Sequence, residues 1–203
     1  MKKLVILFAV FTIFSSCNKH KTSNIDEYIE INKVFKVNAH TKNDTSFIFL
    51  NSLPETYNYL DNFIPNARKT SNVHFNYGKD TKAIEHYHSV NNNVNVYKLP
   101  NDSLVISIGT GDGYTGYGVT IKIHKNIFLT NYYKFDDMIS YDDIRPKQTI
   151  LYQDLILDKP NYELNDSLYG FINFRSLYIG KREDTLYVNA IGHFRGKVKE
   201  IER

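Results

Sequence analysis

The sequence predicts a mainly β protein, an antiparallel β-sandwich or open barrel with one or two short N-terminal helices. From about residue 94 onward, β-branched and aromatic runs recur at short intervals. The links between these runs are too short for crossover helices, so neighbouring strands are expected to be antiparallel. Of the 203 residues, 42% are hydrophobic and 14% aromatic, which excludes a disordered chain.

Strand-forming runs recur throughout the C-terminal half. They occupy residues 94–97, 104–108, 119–123, 127–135, 149–157, 168–174, 186–191 and 196–201. Pairs of Asp with Ser or Thr precede apolar runs at Asp44-Thr45, Asp102-Ser103, Asp166-Ser167 and Asp184-Thr185. Short side chains of this kind bond to nearby backbone in turns. Their irregular spacing indicates recurring turn chemistry and excludes a solenoid repeat.

The N-terminal third carries one clear helix signal. Ser52-Leu53-Pro54-Glu55 is a capping box with proline in the first turn. Apolar residues then recur at helical spacing up to Ile64, and Pro65 follows. A helix is therefore predicted over residues 53–64. Residues 25–34 and 80–88 fit either a short helix or a strand.

The first residues of the chain have the pattern of a secretory leader. Two lysines precede an apolar run from Leu4 to Phe14. Eleven residues at about 1.5 Å each cannot cross a hydrocarbon core of roughly 30 Å as a helix. Two serines end the run, and Cys17, the single cysteine, comes next.

Phe14-Ser15-Ser16-Cys17 resembles the lipobox of bacterial lipoprotein precursors, with Phe14 in place of the usual leucine. The resemblance covers the leader alone and implies that Cys17 is lipidated and that the chain is cleaved before it. It divides the chain into a signal peptide (1–16), a lipidated cysteine with a polar tether (17–24) and a single β-rich domain (25–203). The expected location is the cell envelope, anchored in the outer or inner membrane and facing the periplasm. An ordinary signal peptide with an incidental cysteine is the alternative.

Cleavage of the predicted leader would lower the formal net charge from +3. The leader holds two of the 25 Lys and Arg residues and no acid, which leaves 23 basic and 22 acidic side chains. A formal charge of +1 gives no electrostatic case for binding nucleic acid.

Gly109 to Gly118 holds five of the ten glycines and satisfies G-x-G-x-x-G. A dinucleotide site needs a helix after the glycines, whereas a strand is predicted here. The segment therefore fits a flexible hairpin loop, or a mobile binding loop that uses Tyr114, Tyr117 and Asp112.

A repeated aromatic-Asp-Asp-aliphatic unit offers four carboxylates, from Asp136, Asp137, Asp142 and Asp143. They are candidate ligands for Ca²⁺, although they lack the spacing of a known calcium loop, and a solvated acidic loop is the alternative. His86 and His88 form a weaker zinc pair that would need a further ligand such as His74 or His124.

No cofactor is expected, and no catalytic motif occurs. These observations favour a lipid-anchored, non-enzymatic protein that binds an envelope protein or glycan through loops. One version is a periplasmic immunity-type lipoprotein that neutralises a toxin. The competing class is an envelope hydrolase or carbohydrate-active protein that uses the acidic loop.

Overall fold

Strands form most of the described part of the chain, and the long ones show alternating burial. The computed structural model describes residues 33–52, 70–78, 85–87, 93–111, 114–136, 147–179 and 185–201. In chain order the strands are β1 (Lys33–Val34), β2 (Lys36–Val37), β3 (His74–Gly78), β4 (Glu85–Tyr87), β5 (Asn93–Lys98), β6 (Leu104–Gly111), β7 (Thr115–His124), β8 (Ile127–Asp136), β9 (Lys147–Leu157), β10 (Ser167–Ile179) and β11 (Thr185–Glu200). A 3-10 turn at Thr41–Asn43 and a helix α1 (Ser46–Asn51) lie between β2 and β3.

The strands form one barrel-like sheet that is nearly closed. Their order is β1-β8-β7-β6-β5-β11-β10-β9-β2, and β3 pairs with β11 and β4 beside this path. All pairings are antiparallel except two short ones, β11 with β5 and β2 with β9. The predicted mainly β, open-barrel class is confirmed, and the parallel pairings are an addition to the expected antiparallel pattern.

The core lies inside this barrel. Every second residue of β10 is buried from Leu168 to Tyr178, as expected for a strand with one face on the core. Phe174 of β10 is fully buried, and other strands contribute fully buried branched and aromatic side chains, including Val96, Ile106, Ile121, Val188 and Phe194. Burial of this apolar surface is the main driving force of the fold.

Residues 186–191 and 196–201 were expected to form two strands, and this prediction is wrong. They belong to the single strand β11, which pairs with β10 without interruption from Thr185 to Lys197. Gly192 lies between the two runs with φ at +149°, a conformation that side-chain-bearing residues rarely adopt. The glycine at this position therefore lets one strand continue through both runs.

A short helix covers the outer face of β10 and β11. In α1, Phe47 and Leu50 are fully buried, and the Phe47 ring meets Tyr169 and His193 edge to face at 5.2 and 5.3 Å. Arg195 Nη1 donates a hydrogen bond to Asn51 Oδ1 at 2.8 Å. The helix predicted over 53–64 lies outside the described residues, directly after α1.

The N-terminal segment bridges the two edges of the sheet at one end of the barrel. β1 pairs with the start of β8, and β2 pairs with the end of β9. Between them Phe35 is only 5% exposed and joins the core. The segment Lys33–Val37 therefore fastens the seam between β8 and β9 where the chain enters the barrel.

Two glutamines fasten the same seam further along. Gln153 Oε1 accepts a hydrogen bond from the Thr130 N–H at 3.0 Å. Gln148 Oε1 accepts one from the Tyr132 N–H at 2.8 Å, and its Nε2 donates to the Thr130 carbonyl at 3.3 Å. Side-chain amides of β9 thus satisfy backbone groups of β8 that no strand pairs, which protects an otherwise open edge.

Candidate functional site

The glycine-rich segment forms most of the hairpin between β6 and β7. Gly109 faces Gly118 and Gly111 faces Gly116 across the ladder. The predicted hairpin is confirmed, but its loop is shorter than expected, because only residues 112–114 lie between the two strands. No helix follows the glycines, so the backbone arrangement of a dinucleotide site is absent from this hairpin.

The glycines form a floor beneath two aromatic rings of β8. A Cβ atom on Gly109 or Gly118 would lie 2.6 or 2.7 Å from the Tyr133 hydroxyl oxygen, and one on Gly116 would lie 2.5 Å from the Phe135 ring. Real Cβ atoms do not approach so closely, so only glycine permits the rings to lie here. The three glycines are therefore explained by close packing and not by loop mobility.

Tyr133 and Phe135 together form what we call the aromatic platform. Their rings are nearly parallel, with centroids 6.3 Å apart and planes 16° from each other. Phe135 remains 46% exposed, and Tyr114, at the start of β7, is 67% exposed. Exposed aromatic rings on a rigid sheet can bury large area on binding with little loss of side-chain entropy.

The Tyr133 hydroxyl is held neutral. Burial raises its pKa, and a hydrogen bond with Ser107 opposes part of that rise. At neutral pH the platform therefore presents an uncharged phenol beside a hydrocarbon ring.

A second group of tyrosines lies on the inner side of the same sheet. Tyr77 meets Tyr117 and Tyr132 edge to face at 5.7 and 6.0 Å, and Tyr132 meets Tyr178 at 4.9 Å. Burial, with the neighbouring tyrosine hydroxyls, raises the pKa of Tyr77 well above that of an ordinary phenol. This interior tyrosine cluster packs one end of the barrel.

The predicted binding residues are thus separated by the sheet. Tyr117 faces the interior and packs against the core, whereas Tyr114 faces solvent. Asp112 lies outside the described residues. Tyr133 and Phe135 were missed by sequence reasoning, because their position over the glycines follows from the register of β8 on β7.

Most of the candidate metal ligands lie outside the described residues. Asp136 ends β8, and only its backbone is described, whereas Asp137, Asp142 and Asp143 lie outside. Cys17, the predicted lipidation residue, also lies outside the described residues. Within the described ranges, no three His, Cys, Asp or Glu side chains cluster as metal ligands would.

One serine and one histidine stand at the other end of the barrel, where the β5–β6 and β7–β8 turns meet. Ser103 Oγ lies 2.9 Å from His124 Nδ1. A nucleophile and base at this distance need a third group to orient the imidazole. Among the described residues, no carboxylate forms an ion pair with His124. Within the described residues, the pair is a link between two turns.

No protein-family model, curated protein or solved structure matches this chain. The part of the chain that the structure describes contains no helix both long and apolar enough to span a bilayer. Function must therefore be argued from the site itself.

Proposed function

We propose that the chain is an envelope lipoprotein, anchored by lipid at Cys17, that binds a protein partner non-enzymatically through the aromatic platform. The anchor is supported by the leader and by the position of the single cysteine after Ser15 and Ser16. Two or three acyl chains would hold such a protein stably on a membrane, whereas one would not.

The aromatic platform, with the exposed Tyr114 beside it, is the observation that supports binding of a protein partner. Tyrosine and phenylalanine are enriched at protein interfaces, where their rings contribute most of the buried area. The supporting glycines hold the rings flat on the outer face of the barrel, so little ordering is needed on binding.

The platform also lies far along the barrel from the point where the described chain begins. β1, where the described chain enters the barrel, pairs with Ile127 and Phe128 at the start of β8. Phe135 is near the other end of that strand, eight residues and about 26 Å further along. A protein tethered through its N-terminal segment would present the platform toward the periplasmic space.

A retention experiment with matched variants tests the binding. The chain from residue 17 onward, with Cys17→Ser, is immobilised and exposed to a detergent extract of the envelope. We expect Phe135→Ser to reduce retention of a saturable partner at least tenfold, because it removes the exposed ring. Ile191→Ser is the control, since Ile191 is a similarly exposed apolar residue on β11, at 41%.

Equal retention by wild type, Phe135→Ser and Ile191→Ser would contradict the proposal. Retention of a glycan in place of a protein would contradict the proposed partner class.

A further inference from the structure

The end of the barrel where the chain enters carries a second surface, opposite in character to the platform. It consists of Lys33, Val34, Lys122, Lys125 and Ile127, which we call the lysine surface. Val34 lies opposite Ile127 in the ladder, and the two are 68% and 43% exposed. Lys122 lies on the exposed face of β7, and Lys125 is in the turn between β7 and β8.

No ion pair among the described residues includes Lys33, Lys122 or Lys125. The Lys33 ammonium lies 5.1 Å from the centroid of the Tyr152 ring, a contact that leaves its positive charge in place. Two carboxylates of neighbouring segments, in the β5–β6 turn and on β9, already have a partner. Asp102 lies 3.6 Å from Lys98, and Asp154 lies 3.0 Å from Lys36.

The surface also lies where the proposed anchor can bring it to a bilayer. Fifteen residues, 18–32, lie between Cys17 and Lys33, and a fully extended chain over this distance spans at most about 55 Å. Lys33 belongs to the lysine surface, so this surface includes the first described residue after the proposed anchor.

We propose that the lysine surface docks on the anionic phospholipid headgroups of the membrane that holds the anchor. The three ammonium groups would lie against lipid phosphates, and Val34 and Ile127 would enter the interface between headgroups and acyl chains. Each lysine near an anionic surface strengthens such docking about fivefold, so three contribute about 100-fold together. This inference rests on the proposed lipid anchor and adds an orientation to it.

The chain offers a clean optical test, because it contains no tryptophan and one cysteine. The chain from Cys17 onward is coupled through that thiol to a maleimide lipid in vesicles of phosphatidylglycerol and phosphatidylethanolamine. Ile127→Trp places the probe in the lysine surface, and Val34→Trp is a second probe there. Tyr114→Trp places the matched control at the other end of the barrel, and circular dichroism checks that each variant folds.

With bromine-labelled acyl chains, we expect the Ile127→Trp emission to fall by at least half and to shift to shorter wavelength. The Tyr114→Trp emission should change by less than a tenth. Replacing Lys33, Lys122 and Lys125 together by glutamate should abolish quenching of the Ile127 probe, as should vesicles of phosphatidylcholine alone.

Equal quenching of the probes at residues 127 and 114, or none at residues 127 and 34, would overturn the orientation. Quenching that persists in the triple glutamate variant would overturn the role of the lysines. Coupling to a maleimide lipid does not require lipidation in the cell, so failure here is distinct from failure of the anchor proposal.

Discussion

At the scale of single residues, a buried tyrosine and aspartate fix the connection between β9 and β10. The Tyr162 hydroxyl donates to Asp158 Oδ1 at 2.6 Å, and the same oxygen accepts the Tyr169 N–H at 2.9 Å. Tyr162 is 3% exposed and Asp158 is 6% exposed. Burial and the aspartate together raise the pKa of Tyr162, so the phenol remains a donor at any ordinary pH.

Removing that hydroxyl should destabilise the protein measurably. We expect Tyr162→Phe to lower the free energy of unfolding by about 1–3 kcal/mol, because a buried carboxylate loses a donor. Urea denaturation followed by circular dichroism measures the change. Tyr152→Phe is the control. Tyr152 is 42% exposed, and the variant retains an aromatic ring beneath the Lys33 ammonium. An unfolding free energy for Tyr162→Phe equal to that of the control would show that the bond contributes nothing.

The platform also shows what single residues can and cannot predict. The glycines of the β6–β7 hairpin are visible in the sequence, and they were interpreted as a loop because glycine permits positive φ. Their role depends instead on which ring lies above them, and that is decided by the pairing of Gly116 with Phe135 and Gly118 with Tyr133. Register is a property of two strands, so neither sequence segment contains it alone.

At the scale of elements, a β-bulge allows the two glutamines to close the seam. Gln148 and Gln153 are five residues apart and would face opposite sides of a regular strand. The register of β9 on β10 shifts at this point: Tyr152 pairs with Arg175 and Ile150 with Ser176, which leaves Leu151 as the extra residue. The extra residue brings Gln148 and Gln153 to the same side of β9, so both side-chain amides reach β8.

Removing the glutamine hydrogen bonds between β9 and β8 should lower the free energy of unfolding and leave a strand edge that can pair with another molecule. Gln153→Leu leaves the buried Thr130 N–H without its acceptor, and we expect the unfolding free energy to fall by about 1–3 kcal/mol. In the double variant Gln148→Leu/Gln153→Leu, the edge of β8 loses its side-chain hydrogen bonds. We expect this variant also to associate in a concentration-dependent way, which light scattering measures.

Thr149→Leu provides the control for these variants. Thr149 is exposed on the same strand, and a change there should stay within about 0.5 kcal/mol. A monomeric double variant with unchanged stability would show that the glutamines do not close the barrel.

The sequence predicted the long strands better than the short ones. Runs of five to nine β-branched and aromatic residues identified parts of β6 to β10. Strands β1 and β2 have two residues each, too few to show any period. They exist because Phe35 is buried between them, which is a tertiary cause. The bulge at Leu151 likewise shifts the alternation of the two strand faces within β9. The sequence pattern alone therefore could not predict which face Gln148 and Gln153 occupy.

At the scale of the whole molecule, the barrel has two different ends. The end where the chain enters presents lysines and small apolar side chains, and the other presents Tyr114 and the aromatic platform. The proposed anchoring at one end and binding at the other would use this polarity. Cleavage of the predicted leader would leave a formal charge of +1, so the proposed binding would depend on these local surfaces.

The proposed lipid attachment at Cys17 is tested most directly by metabolic labelling with an alkyne fatty acid. Cells expressing the full-length chain are labelled, and incorporation is compared between wild type and Cys17→Ala. We predict strong labelling of the wild type, with the wild type in the membrane fraction, and a loss of at least 95% of the label in Cys17→Ala. Equal labelling of the two proteins, or none in the wild type, would contradict anchoring at this residue.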